Sequence, residues 1–145
     1  MTTQYRWKPG AGISGCSADD AASALEELRA TGPLTPARVT VAAADPASPL
    51  HSVREYHWDD DAAAAAEHRV EVSRRILRSL VVTYHTVDGR RAMPQYVRVD
   101  PVGSPARYER VDVVARDPDL IASAMSLLQQ QVRGIMASID RLRQA

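Results

Sequence analysis

The chain has no phenylalanine, one lysine (Lys8) and one cysteine (Cys16), and its formal charge sums to zero. Each scarcity excludes something. With aromatics at 5% and no Phe, an interior must be filled by Val, Leu, Ile and Ala. A single cysteine rules out a disulfide framework and a cysteine-based zinc site. Zero net charge argues against a protein whose main task is to coat nucleic acid or adhere to an acidic membrane, because both tasks draw on net positive charge. No apolar run approaches the roughly 20 residues of a membrane span, and Met1 to Pro9 are mostly polar. The expectation is an intracellular protein with no membrane partner.

What is present is ordinary for a globular chain: 45% hydrophobic and 25% charged residues in a length that suits one domain. Residues 1–16, with Pro9, Gly10, Gly12 and Gly15, read as an irregular N-terminal arm. Tyr5 and Trp7 are the residues that would pin this arm to the domain or to a neighbouring subunit. Residues 17–145 read as a single α+β domain.

Ser17 followed by Asp20 marks a helix start, and the helix should run from Ala18 to Arg29 and stop at Thr31-Gly32-Pro33. Ala21, Ala24, Leu25 and Leu28 give it one apolar face. Thr35 as cap, Pro36 in the first turn and Leu34 stapled onto Val39 start a second, short helix that ends at Asp45-Pro46. Two short helices across a Gly-Pro turn are compatible with a helix-turn-helix, yet the second offers only Arg38 as a base. Residues 47–51 form an extended linker.

The central segment, Trp58 to Leu80, carries the densest chemistry. Asp59 reads as a helix cap with Asp60 and Asp61 in the first turn, and Arg74, Arg75 and Arg78 occupy the last turns, matching the helix dipole at both ends. Ala62, Ala66, Val70, Ser73, Leu77 and Leu80 make one stripe, with Ile76 beside it. Arg69, if partly buried, calls for a carboxylate partner.

Leu80 to Val87 is rich in β-branched residues, and Asp88-Gly89 signals a hairpin. The return strand spans about Arg91 to Asp100, with Pro94 at an edge or a bulge. Tyr108 to Ala115 is a third candidate strand, so the expectation is an antiparallel meander of two or three strands. Asp117-Pro118 then opens a C-terminal helix over 117–145. In it Ile121, Met125, Leu128, Val132, Ile135, Ile139 and Leu142 alternate steps of four and three, the 3.5-residue period of a coiled coil. That seam is the candidate self-association element. The alternative is a terminal helix packed along the domain's own core.

For chemistry, His51, His57, Asp59 and Asp60 are the best acid–base or metal-binding constellation. Their spacing matches no ligand motif, and the Tyr56-His57-Trp58 cluster reads better as packing. His68 and His85 are isolated. No phosphate loop, dinucleotide fingerprint or nucleophile elbow occurs. No catalytic residue, metal ligand or cofactor is assigned. The candidate partner-binding residues are Arg69, Arg74, Arg75, Arg78, Arg90 and Arg91, faced in that stretch by Glu71 and Asp88. Such a cluster suits phosphate or an acidic protein face.

Leu34-Thr35-Pro36, Ser48-Pro49-Leu50-His51, Trp58-Asp59-Asp60, the Ala-rich run, His68-Arg69, Ser73-Arg74 and Ile76-Leu77-Arg78-Ser79 together resemble a family of small bacteriophage and prophage proteins without an assigned function. The resemblance runs from about Ser17 onward. His68 stands where an aromatic is expected before Arg69, and Ser73 where an alanine is expected before Arg74. The resemblance implies a phage origin and a place in the bacterial host cell or the virion; it brings no activity and no site residues. The expected function is a non-enzymatic accessory or assembly protein that binds a phage or host protein and its own copies. A DNA-binding accessory protein is the main alternative, and a metal-dependent or acid–base enzyme a distant one.

Overall fold

The computed structural model of the protein describes residues 3–60 and 65–144. The fold is α+β. The chain gathers into two compact units, Met1–Tyr96 and Val97–Ala145. Among the described residues, no helix is long and apolar enough to cross a membrane.

The first unit holds β1 (Thr3–Trp7), α1 (Ala18–Ala30), α2 (Pro36–Ala43), two 3-10 turns (Pro49–Ser52 and Arg54–Tyr56), α3 (Ala66–Ser79), β2 (Leu80–Thr86) and β3 (Gly89–Pro94). The caps read from the sequence form as hydrogen bonds. The Ser17 hydroxyl accepts from the Asp20 N–H at 3.1 Å, and the Thr35 hydroxyl accepts from the Arg38 N–H at 3.2 Å. Leu34 and Val39 are both fully buried, as a staple requires. Leu25, Leu50, Tyr56, Ile76, Leu77 and Val82 complete an interior in which tyrosine takes the place of the missing Phe.

Part of the N-terminal arm is regular. β1 pairs antiparallel with β2, placing Tyr5 opposite Val82 and Trp7 opposite Leu80. A local reading sees only the Pro and Gly that follow, whereas the partner that makes this strand lies more than seventy residues on. β2 pairs with β3 around a two-residue Val87-Asp88 loop, in the order β1-β2-β3. Gly89, with φ of 122°, takes the backbone conformation that closes the loop.

The central helix starts later than its acids suggest. Asp59 is in a turn; α3 begins at Ala66, behind Ala65, which gives no side-chain cap. The first-turn role read for Asp61 and the alanines Ala62, Ala63 and Ala64 lies outside the described residues. The second 3-10 turn ends at His57, whose φ of 51° is left-handed. The stripe also shifts. Val72, Ser73, Ile76 and Leu77 are buried, while Ala66 is exposed and Val70 only half-buried.

The sequence's single return strand is broken. β3 ends at Pro94, where the ring removes a donor, and Gln95 turns its N–H to the Leu80 carbonyl at 3.0 Å. β4 (Tyr96–Val99) then pairs with β5 (Arg107–Arg110) in a separate two-stranded sheet, so the meander becomes two sheets. The alternating Val111-Asp112-Val113 segment is not strand but a one-turn helix, α4 (Val111–Val114). α5 (Pro118–Gln144) closes the chain. In the second unit Val99, Val114, Leu120 and Ala124 form a small core.

Candidate functional site

Four of the six arginines read as a partner-binding cluster have partners within the fold. Arg69 works inside the fold. Its Nε donates to the Tyr56 carbonyl at 3.3 Å and its Nη2 to the His57 carbonyl at 3.2 Å, while the guanidinium lies 4.9 Å from the centre of the Trp58 ring. Arg74 and Arg78 converge on one carboxylate: Arg74 bonds Oε2 of Glu71, and Arg78 bonds Oε1 at 2.9 Å. The Arg74 hydrogen bond is the main reason the Glu71 carboxyl titrates below its ordinary value. Arg75 reaches the Gly12 carbonyl at 3.5 Å. Arg90 and Arg91 sit apart, exposed on the edge strand β3, where charge also blunts edge-to-edge pairing. Arg38, the one base of the second short helix, is folded back onto the end of α1. Its guanidinium donates to the Pro33 carbonyl at 2.6 Å and the Thr31 hydroxyl at 2.9 Å.

The histidine cluster is a packing device. The His51 ring stacks on Trp58 at 5.3 Å and 4°, and Tyr56 stacks on Trp58 at 4.8 Å. Ring N–H groups go to carbonyls: Nδ1 of His51 to Ala43 at 2.8 Å and Nε2 of His68 to Glu55 at 3.0 Å. The open cleft here is about 380 Å³ and is bordered by His51, His57, Trp58, Asp59 and Asp60. Among the described residues, no three His, Cys, Asp or Glu side chains are placed to hold a metal ion. Burial raises the Cys16 thiol above its ordinary pKa, the opposite of what a reactive thiolate needs.

The seam of α5 presents a different picture. Its seven members are all exposed, from 39% at Ile139 to 78% at Leu142. Beyond Ala124 no described residue of α5 is buried, and only Leu127 is half-buried. In heptad terms Met125, Val132 and Ile139 take a positions and Ile121, Leu128, Ile135 and Leu142 take d positions. The flanks are Gln129 and Met136 on one side and Gln131 and Ser138 on the other. Met136, 54% exposed, adds apolar surface beside the seam. Sequence periodicity located the seam, but could not tell whether the chain's own core would cover it.

At the start of α5 a polar groove of about 700 Å³ is lined by Asp100, Arg107, Asp117, Asp119 and Ser123, among others. Asp117 caps the helix, its Oδ1 accepting from the Asp119 N–H at 2.9 Å. The far end of α5 is basic, with Arg141 and Arg143. No protein-family model matches the chain, and no curated protein or solved structure matches it significantly.

Proposed function

We propose that the chain is a non-enzymatic binding protein that works as an assembly of its own copies, with α5 as the assembly element. One observation carries this reading: an apolar stripe of 3.5-residue period stays exposed along most of a 27-residue helix. Helices that hold together without tertiary packing are marginal below about 12–15 residues, and longer ones still draw most of their stability from a buried face. After Ala124 no described residue of α5 is buried. A 3.5-residue period is also more than an apolar face; it is the pattern that fits a second helix of the same pitch. Through the middle of the seam the flanking Gln129, Gln131, Met136 and Ser138 are uncharged, so no like charges meet there when two copies pair.

Magnitudes favour a reversible assembly. Full burial of a Leu or Ile side chain contributes about 1.5–3 kcal/mol, and these side chains are already roughly half covered. Fourteen of them across two copies give on the order of 10 kcal/mol, against an association cost of about 4–15 kcal/mol. Such a balance assembles at working concentrations and loosens on dilution.

The resemblance to small phage and prophage proteins fits an accessory or assembly role of this kind. DNA binding has less to draw on, since Arg38 closes α1 and Arg69, Arg74, Arg75 and Arg78 have partners within the chain. Light scattering on the native chain and on Ile135→Asp tests the proposal. The native protein should exceed the monomer mass and the variant should return to it; a native monomer at high concentration removes the reading.

A further inference from the structure

The seam does not by itself say which way two copies run, and the charges at its ends do. We infer that α5 pairs antiparallel with α5 of a second copy, in full-length overlap; this rests on the self-association reading above. The helix opens with Asp117 and Asp119 and ends with Asp140, Arg141 and Arg143, an end that is basic on balance. A parallel pair would gather both acidic starts at one end and both basic ends at the other. An antiparallel pair sets each basic end beside the acidic start of its partner and opposes the two helix dipoles.

The layers and charges select the same register. Antiparallel packing matches a positions with d positions. Overlap along the whole helix stacks Ile121 on Ile139, Met125 on Ile135 and Leu128 on Val132, each layer occurring twice by symmetry. In that register Arg143 lies on the same side of the seam as Asp119 of the second copy, and Arg141 on the same side as its Asp117. Each is within about 3 Å along the axis, two residues at 1.5 Å each. Sliding the pair by one heptad would keep apolar layers but carry one arginine about 4.5 Å and the other about 10 Å further from its acid.

Gly134 lies near the middle of the overlap. A Cβ built there meets nothing within 4 Å among the described residues, so no contact among them calls for a residue that weakens a helix.

Cysteine pairing decides the orientation. In a Cys16→Ser background, Ile121→Cys and Ile139→Cys chains are treated with a short thiol–thiol cross-linker, each alone and after co-expression. The antiparallel register puts position 121 of one copy against position 139 of the other, so only the co-expressed pair should cross-link. Like positions are then about 27 Å apart along the axis, eighteen residues at 1.5 Å each. Cross-linking within either single variant would mean parallel helices and overturn the inference. So would an oligomer, seen by light scattering of the same samples, in which no combination cross-links. A monomer in that measurement would instead remove the self-association reading on which the inference rests.

Discussion

The Tyr56 hydroxyl bonds the Ser73 hydroxyl at 2.6 Å in the fully buried interior of the first unit. The direction of this bond follows from its neighbours. Thr40 gives its proton to the Pro36 carbonyl at 2.9 Å, so it accepts from Ser73 at 2.6 Å, and Ser73 accepts from Tyr56. One chain of donors thus ties α2, α3 and the second 3-10 turn together. Ser73→Ala should cost about 1–3 kcal/mol, because it strands the buried Tyr56 O–H, whereas Tyr56→Phe removes that donor and should cost about 1 kcal/mol. Urea unfolding of the two variants checks the order.

The same phenol sets an alkaline limit. Burial pushes Tyr56 from 10.0 up to about 12. Unfolded chains therefore lose this proton more readily than folded ones. The contribution to stability is complete below pH about 10 and is lost as pH climbs towards about 12. Tyr96 is displaced in the same direction, by burial first and then by the charge of Glu26, to which its hydroxyl donates at 3.0 Å. Alkaline titration followed by tyrosinate absorbance should show late ionisation coinciding with unfolding.

Two glycines should respond oppositely to alanine. Gly15 has φ of 86°, and a Cβ there would come within 2.2 Å of the Ser52 carbonyl oxygen. Gly15→Ala should destabilise the first unit by about 2 kcal/mol or more, from strain and collision together. Gly134→Ala meets open space in a helix and should raise the stability of α5 by about 1 kcal/mol in a single copy. Thermal melts of both variants by circular dichroism make the comparison.

Much of this architecture was legible because its signals are local. Ser17, Thr35 with Pro36, and Asp117 with Pro118 fix three helix starts through one side chain each, and the seam of α5 is a periodicity that needs no partner to be seen. What was not legible depends on distant or competing contacts. β1 exists because β2 accepts it, and Val111-Asp112-Val113 becomes helical although its alternation reads as strand. The acids at Asp59 and Asp60 resembled a cap, but α3 begins at Ala66. For the candidate sites, sequence could gather six arginines but not count their internal partners. Glu71 alone engages two of them.

That carboxylate offers a test of the DNA alternative. Glu71→Ala should change stability by less than about 1 kcal/mol, since exposed ion pairs are weak, while releasing Arg74 and Arg78. If those arginines served nucleic acid, the variant would be retained on DNA more strongly than the native chain, with a steeper salt dependence. The expected outcome is no specific retention by either at physiological salt.

The most direct measurement is the mass of the unmodified chain by sedimentation across a dilution series, with helical content followed in the same samples. Assembly through α5 should give a mass above that of the monomer at high concentration. On dilution it should fall to the monomer, with loss of helical signal as the released seam frays. A monomer whose helical signal is constant over the whole series would contradict the account.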